Sequence, residues 1–432
     1  MATVIIGGGI VGVSIAYYLS DPERLQRPKD IHIVDSSAEL FASASGFAAG
    51  FLAKDWFSPE IEPLGKLSFG LHRQLATEND GAEKWGYMAS TAISLQVEGP
   101  DGTKTKRGDD WLRRGASRAE VAVKDNIVVS PSDRFPAWLT EQKGGIVEKI
   151  SNTGTVAQVD PLRLCRFLLG KCLERGVQIH YPARVLAVSG NPDKAVLQRL
   201  DTKKKFDIAC TKLILAAGPW TPRVFQTIFP RSKSNIEVAA LSGYSLVFRS
   251  PRYTFEDEKG TYSGKSHAVF TTHPKSCGFS PEIFSRHGGE IYIAGLNSYD
   301  IPLPEVATDS FKIMEKEKSN RVRRAAAVLM GRPQGPGADN VDDFEIVREA
   351  LCFRPATENG LPIIGRITHH LLGSNIDYTG DVFVATGHGP WGIALSLGTG
   401  QVVAEMVTGA KTSADVRYLG FDPKAGELSS RL

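Results

Sequence analysis

Val4-Ile5-Ile6-Gly7-Gly8-Gly9-Ile10-Val11-Gly12 decides how the chain begins: a short β-branched run, a glycine turn, and then the apolar stretch Val13 to Leu19 with helical character. Strand, glycine turn and helix in that order are the context in which a G-x-G-x-x-G match reads as a dinucleotide site. Gly7 permits the tight turn, Gly9 leaves room for a pyrophosphate against the backbone, and Gly12 lets helix and strand approach closely. The turn at Ile10 and Val11 opens the helix, whose first N–H groups and positive dipole end face the phosphates. A second strand, Ile31 to Val34, ends at Asp35, followed by Ser36. The Asp35 carboxylate can accept hydrogen bonds from both hydroxyls of an adenosine ribose, and an acid there disfavours the 2′-phosphate of NADP. Asp35 lies 28 residues after Gly7 (35 − 7), stretched by a polar, proline-containing insertion from Asp21 to Lys29.

Outward from this unit, 432 residues with 42% apolar and 23% charged content allow one or two substantial cores. The 43 glycines follow no fixed period, which excludes a collagen-like chain and asks for local explanations. A net charge of +3, with the runs Lys104–Arg107 and Lys203–Lys205 each beside acidic neighbours, gives no basic stripe of the kind that binds nucleic acid. The cysteines Cys165, Cys172, Cys210, Cys277 and Cys352 are scattered and contain no CxxC pair, so neither a disulfide framework nor a metal site is expected. The chain enters the glycine motif without a charged leader, and no apolar run reaches membrane-spanning length. These features lead us to expect a soluble intracellular protein.

Asp160-Pro161 before Leu162 to Leu169 reads as a capped helix, with Asp at the N-cap and Pro at its first position, closed by Gly176 before a strand at Val177 to Tyr181. Lys212 to Leu215, ending in Ala216-Ala217-Gly218, is another buried-strand pattern. Alternation in Ser245 to Phe248 and Glu290 to Ala294 favours an antiparallel sheet, and Lys312 to Met330 reads as one amphipathic helix. The last third returns to strand and glycine with Asp381 to Thr386, Gly387-His388-Gly389-Pro390-Trp391-Gly392, and a helix from Ile393 to Val407 ended by Gly409. Gly387 to Gly392 is either a loop before a packed helix or a second place where backbone N–H groups meet a cofactor. No second G-x-G-x-x-G follows.

The N-terminal motif resembles that of the D-amino-acid oxidase-like (DAO) family of FAD-dependent oxidoreductases, which includes glycine, sarcosine and fructosyl amino acid oxidases. So do Asp35, Ala44-Ser45-Gly46-Phe47-Ala48-Ala49-Gly50, Ala216-Ala217-Gly218-Pro219-Trp220, Leu351-Cys352-Phe353-Arg354-Pro355 through Gly365, and Ala385 to Ile393. Ser280 to Phe284 and Glu290 to Gly295 resemble the fungal TDA3-like branch. The resemblance implies an α/β and α+β fold: a Rossmann-like FAD-binding domain of the glutathione-reductase type (1–82, 150–235 and 350–432) with an inserted antiparallel-sheet substrate domain (83–149 and 236–349). It implies FAD between Gly7, Gly9 and Gly12 at the pyrophosphate, Asp35 at the ribose, and Ser43, Ala44, Ser45, Ala48 and Ala49 along the phosphates and flavin edge. Val185 would contact adenine. Ala217, Gly218 and Trp220 would border the dinucleotide, and Gly387, His388, Gly389, Pro390, Trp391, Gly392 and Ile393 would lie at the isoalloxazine.

Arg354 matches the arginine that clamps the substrate carboxylate in glycine oxidase-like members, where a guanidinium fork suits a planar anion. A structural arginine pairing with Glu358 is its alternative. Cys352 lies where sarcosine and fructosyl amine oxidases link covalently to flavin, and a small buried cysteine is the other reading. Members of this kind carry a second basic residue where this chain has Pro390 and Trp391, which leaves His388 or Tyr244 to assist Arg354 and lets Trp391 narrow the pocket. The implied activity is oxidation of the C–N bond of a small amine or amino acid, with O2 or another acceptor taking the electrons. The rivals are a dehydrogenase of the same fold and a flavin-binding structural or sorting protein. Ser430-Arg431-Leu432 resembles the peroxisomal SKL address, so a peroxisomal or a cytoplasmic location is expected.

Overall fold

The strand Thr3–Ile6 is buried along its length, as an unbroken β-branched run requires when a parallel strand is covered on both faces. The computed structural model describes residues 2–23, 26–97, 136–142, 144–273, 278–331 and 342–421. The basic run at 104–107, Trp111, Cys277 and the terminal Ser430-Arg431-Leu432 lie outside the described residues. Thr3–Ile6 sits inside a six-stranded sheet ordered Ile363–Ile367, Asp381–Thr386, Lys212–Leu215, Thr3–Ile6, Ile31–Val34, Gln178–His180. All neighbours are parallel except the Ile363–Ile367 edge strand. Thus segments far apart in sequence return to one sheet.

One face of this sheet carries the helices Ile10–Leu19, Pro161–Glu174 and Gly392–Thr408 around a core that includes Val13, Leu164, Leu168, Leu395 and Val403. The helices Ile10–Leu19 and Gly392–Thr408 touch so closely at Gly400 that a Cβ there would stand 2.7 Å from that of Ser14. Asp160 caps its helix by accepting a hydrogen bond from the Arg163 N–H at 2.9 Å, with Pro161 in the first turn. Gly409 ends the last helix in the left-handed conformation, φ 73°. The other face packs Val4, Val34, Leu213 and Val384 against the antiparallel three-stranded sheet Ala183–Ser189, Lys194–Arg199 and Lys205–Ala209.

A nine-stranded sheet makes the second layer. It runs from Glu345–Ala356 and Ala239–Arg249 through Glu290–Ser298, Glu282–Arg286, Ser266–Thr272 and Met88–Gln96 to Val156–Gln158 and Phe51–Ala53, with Ile146–Lys149 paired to Met88–Gln96. Its pairings are antiparallel apart from Ser266–Thr272 with Met88–Gln96. Strand alternation divides its side chains. Tyr244, Leu246, Phe248, Ile291 and Ile293 pack outward with the helix Lys316–Met330, whereas Val247, Phe284, Tyr292 and Ala294 face Phe51 and Trp56.

The expected single helix from Lys312 to Met330 is two pieces, Ser310–Ile313 and Lys316–Met330. Met314 between them is extended, φ −70° and ψ 125°, and the Glu315 N–H leaves the helical ladder to donate to the Tyr244 hydroxyl at 3.1 Å. The strand Glu345–Ala356 lies whole in the large sheet and runs through position 350, while Phe51–Ala53 and Val156–Gln158 add to the same sheet.

Candidate functional site

The parallel strands of the central sheet end in register: Ile6 faces Val34 and Leu215, and Leu215 faces Val384. Gly7, Asp35, Ala216-Ala217-Gly218 and Ala385-Thr386 therefore emerge together at the carboxyl edge, where open α/β sheets bind ligands. A cavity of about 660 Å³ opens there. It runs from Arg184, Val185 and Lys203 at one end, past Gly7, Gly9, Ile10, Val11, Asp35 and Ser36, to Cys352 and Arg354 at the other. Ser43, Ala44, Ser45, Ala48, Ala217, Gly218, Trp220, His388, Gly389, Pro390, Gly392 and Ile393 also line it.

The glycine turn is set by backbone collisions. A Cβ on Gly7, φ +115°, would stand 2.3 Å from the Ala216 carbonyl oxygen, and one on Gly12 would stand 2.0 Å from the Gly7 oxygen. Gly12 does not line the cavity; its work is to let the helix turn back on its strand. At Gly9 an added Cβ meets only the Ser45 hydroxyl, at 3.0 Å, so this glycine keeps the cavity wall low. Ser45 Oγ accepts the Ile10 N–H at 2.9 Å, tying the turn to the segment Ser43 to Ala48. The N-cap residue Gly9 has no side chain to cap the helix, so beyond the Ile10 N–H that Ser45 takes, the first turn leaves N–H groups for an anion.

Asp35 is held from two sides: the Gly8 N–H donates to Oδ2 at 2.7 Å and the Ser37 N–H to Oδ1 at 2.8 Å. Burial raises its pKa, and the hydrogen bonds from Ser37 and Gly8 oppose that rise. The remaining lone pairs face a cavity that it lines, as a ribose acceptor requires.

At the opposite end Arg354 Nη1 donates to Asn297 Oδ1 at 2.7 Å. Asn297 reaches it through a β-bulge: Leu296 is left-handed, φ 55°, and the register shifts between Ser242 and Tyr244. Gly243 makes the space, since a Cβ there would stand 2.6 Å from Asn297 Oδ1 and 3.0 Å from Arg354 Nη2. Cys352, two residues before Arg354 on the same strand face, is buried at the cavity wall. Burial pushes its thiol up against the opposing field of Arg354.

The structure corrects three expectations about the side chains around Arg354. Tyr244 follows Gly243 on the strand, so it points to the outer face, where its hydroxyl accepts the Glu315 N–H; it cannot assist Arg354. His388 does border the cavity, but its Nε2 lies 3.0 Å from Thr399 Oγ1, and burial lowers its pKa to about 4. It is neutral near pH 7 and supplies no second cation. The Trp391 ring does not line the cavity and packs instead against Phe57 and Trp56, with ring centroids 4.9 and 6.5 Å away. Ala49 is buried beside the same aromatic cluster rather than at the cavity. Gly387, φ +76°, is likewise off the cavity, where a Cβ would meet Thr357 Cγ2 at 2.7 Å.

Sequence reasoning missed Asn297, which announces itself only through a bulge, and the wall formed by Glu305, Val306 and Ala307 beside Ser37. It also missed Arg184 and Arg223 at the same end. No group of His, Cys, Asp and Glu able to hold a metal occurs among the described residues, and no helix there is long and apolar enough to cross a membrane.

Residues 2–406 match the model of the DAO family, described as FAD dependent oxidoreductase. A Schizosaccharomyces pombe protein named as an oxidoreductase is 27% identical over 98% of this chain and 97% of its own length. TDA3 of Saccharomyces cerevisiae, likewise named, is 23% identical over 98% and 94%. The crystal structure of glycine oxidase from Geobacillus kaustophilus superposes with a TM-score of 0.69 at 20% identity, covering 98% of both chains, which establishes a common fold.

Proposed function

The chain belongs to the DAO family of FAD-dependent oxidoreductases, and from that premise we propose that it oxidises the C–N bond of a small amine or amino acid that carries a carboxylate. The single observation behind the substrate class is Arg354, buried, lining the cavity and held in one orientation by Asn297. The residues fit FAD: a cavity of about 660 Å³, a helix N-terminus after Gly9 with first-turn N–H groups beyond the one Ser45 takes, and an acidic ribose acceptor at Asp35. Gly7, Gly9, Ile10 and Ser45 would hold its pyrophosphate, Val185 its adenine, and Gly389 to Ile393 its ring system. When bound, FAD supplies the acceptor for the hydride lost from the carbon that bears the amine, and water then hydrolyses the imine.

The protein's own part is orientation and dryness. Arg354 binds the carboxylate through a planar fork whose position Asn297 and Gly243 set beforehand, so that little freedom is lost on binding. The apolar side chains of Ile6, Ala48, Phe353 and Ile393 in the cavity wall exclude water. A buried cation beside an apolar wall disfavours an ammonium and favours the neutral amine from which a hydride can leave. His388, neutral near pH 7, adds no positive charge beside Arg354. The whole-length likeness to the fission- and budding-yeast proteins supports placing the chain in the TDA3-like branch.

An anaerobic titration tests this reading, with amino acids, N-methyl amino acids and glycated amines added while flavin absorbance is followed. Bleaching by a carboxylate-bearing amine, followed by recovery on admitting air, is the expected result and identifies O2 as acceptor. Bleaching that only a non-oxygen acceptor reverses would make the protein a dehydrogenase. A yellow protein that no amine bleaches would overturn the catalytic reading in favour of a flavin-binding structural role.

A further inference from the structure

Between the strand Glu290–Ser298 and the helix Ser310–Ile313 the chain leaves the large sheet and crosses to the far end of the cavity, where Glu305, Val306 and Ala307 form its wall. None of the residues from Ile301 to Asp309 is buried. Ile301 and Leu303 rest partly buried against the outer core, and from Pro304 onward the segment is held by polar contacts that come from three separate places. The Pro304 carbonyl accepts the Trp220 Nε1–H at 2.8 Å and Arg223 Nη1 at 3.2 Å. The Glu305 carboxylate stands 3.2 Å from Arg223 and 3.9 Å from Arg184. The Ala307 N–H donates to Ser37 Oγ at 3.2 Å, on the same turn whose Ser37 N–H holds the Asp35 carboxylate.

A dinucleotide lying along this cavity, with its ribose at Asp35, would have the segment across it. We propose that Leu303 to Ala307 is a latch over the adenosine end of the FAD site, which must lift for the cofactor to enter or leave, and that the Glu305 ion pairs set how often it lifts. The inference rests on FAD occupying the cavity. Opening uncovers only partly buried side chains, Leu303 among them, so its frequency is governed chiefly by the hydrogen bonds and exposed ion pairs. Glu305 is exposed and so are Arg184 and Arg223, which makes the latch sensitive to salt. A latch of this kind closes over the empty and the loaded site alike. Weakening it therefore speeds loading and release together and changes the affinity little, whereas losing a mere contact to FAD speeds release only.

The test uses the full chain in a Cys352→Ser background, so that no thioether can hold the flavin. FAD release into an excess of a flavin-trapping apoprotein and FAD uptake by the stripped chain are followed by flavin fluorescence. Glu305→Gln should raise both rates by about two- to fivefold, as expected for loss of exposed ion pairs. Adding Trp220→Phe, which removes the bond to Pro304, should bring the increase in release to about tenfold. Raising NaCl from low to high concentration should speed exchange in the parent and leave Glu305→Gln unmoved, a response that a merely structural segment would not give. Release that rises while loading stays constant overturns the latch, and so do exchange rates that neither Glu305→Gln nor salt alters. A chain that takes up no FAD in either form overturns the cofactor reading itself, a result distinct from FAD exchanged at latch-independent rates.

Discussion

The molecule has two glycine turns in equivalent settings, Gly7 to Gly12 and Gly387 to Gly392. Each follows a strand of the central sheet and precedes one of the two helices that pack at Ser14 and Gly400. In the first, glycine is demanded by the backbone: Gly7 and Gly12 press against carbonyl oxygens, and the turn can be built in one way. In the second, the side chains matter. His388 goes inward to Thr399, Trp391 goes to Phe57 and Trp56, and Gly389, φ +52°, has open space around its missing Cβ. One turn is a cradle fixed by collision, and the other is a place where the chain chooses what to display beside the cofactor.

The largest expected effect breaks the first turn. Gly7→Ala places a Cβ 2.3 Å from the Ala216 oxygen and should cost roughly 5 kcal/mol and abolish FAD uptake, read by thermal melting and flavin absorbance. Next comes Arg354→Met, which leaves both turns intact. It should lower kcat/KM for a carboxylate-bearing substrate by about 10³-fold, or about 4 kcal/mol, while an amine lacking the carboxylate is little affected. Equal loss for both kinds of substrate would sink the clamp.

The second turn and its helix should answer to pH. His388 and His72 are both lowered to about 4 by burial, His72 against the Ile393 carbonyl. The unfolded chain takes up protons at both below about pH 6.5, whereas the fold accepts them only near 4. Stability is thus full above that window and is lost on descending through it, by on the order of 3 kcal/mol per histidine. Denaturant midpoints measured from pH 7 to 4.5 should show the decline, and His388→Gln should remove about half of it. The smallest effect sharpens the contrast between the turns: Gly389→Ala should cost only roughly 1 kcal/mol of left-handed strain, with FAD still bound. A loss as large as that of Gly7→Ala would show the two turns to be alike.

What could be read in the sequence follows the same division. The glycine cradle and the Asp160-Pro161 cap depend on residues within a few positions of one another, and Asp35 on the strand–helix–strand unit that the cradle opens, so their pattern survives in the chain order. Arg354 was legible through a motif surrounding it. Asn297 was not, because its side chain reaches the arginine only after Leu296 shifts the register against Tyr244, a pairing between strands some fifty residues apart. The same shift explains why Tyr244 looked available: strand alternation cannot be phased across a bulge that no local signal marks. Glu305 to Ala307 escaped for another reason, since a segment held by other parts of the fold rather than by its own periodicity has no signature in sequence.

The bulge at Leu296 also bears on how such a site can change over generations. It sits in a different sheet from the glycine cradle, and it makes Asn297 the side chain bonded to the arginine from this strand. Inserting or deleting one residue there would exchange Asn297 for its neighbour without altering a single atom of the nucleotide-binding turn. If Arg354 clamps the substrate as proposed, substrate preference can drift by slippage of one hairpin while the cofactor module is inherited unchanged.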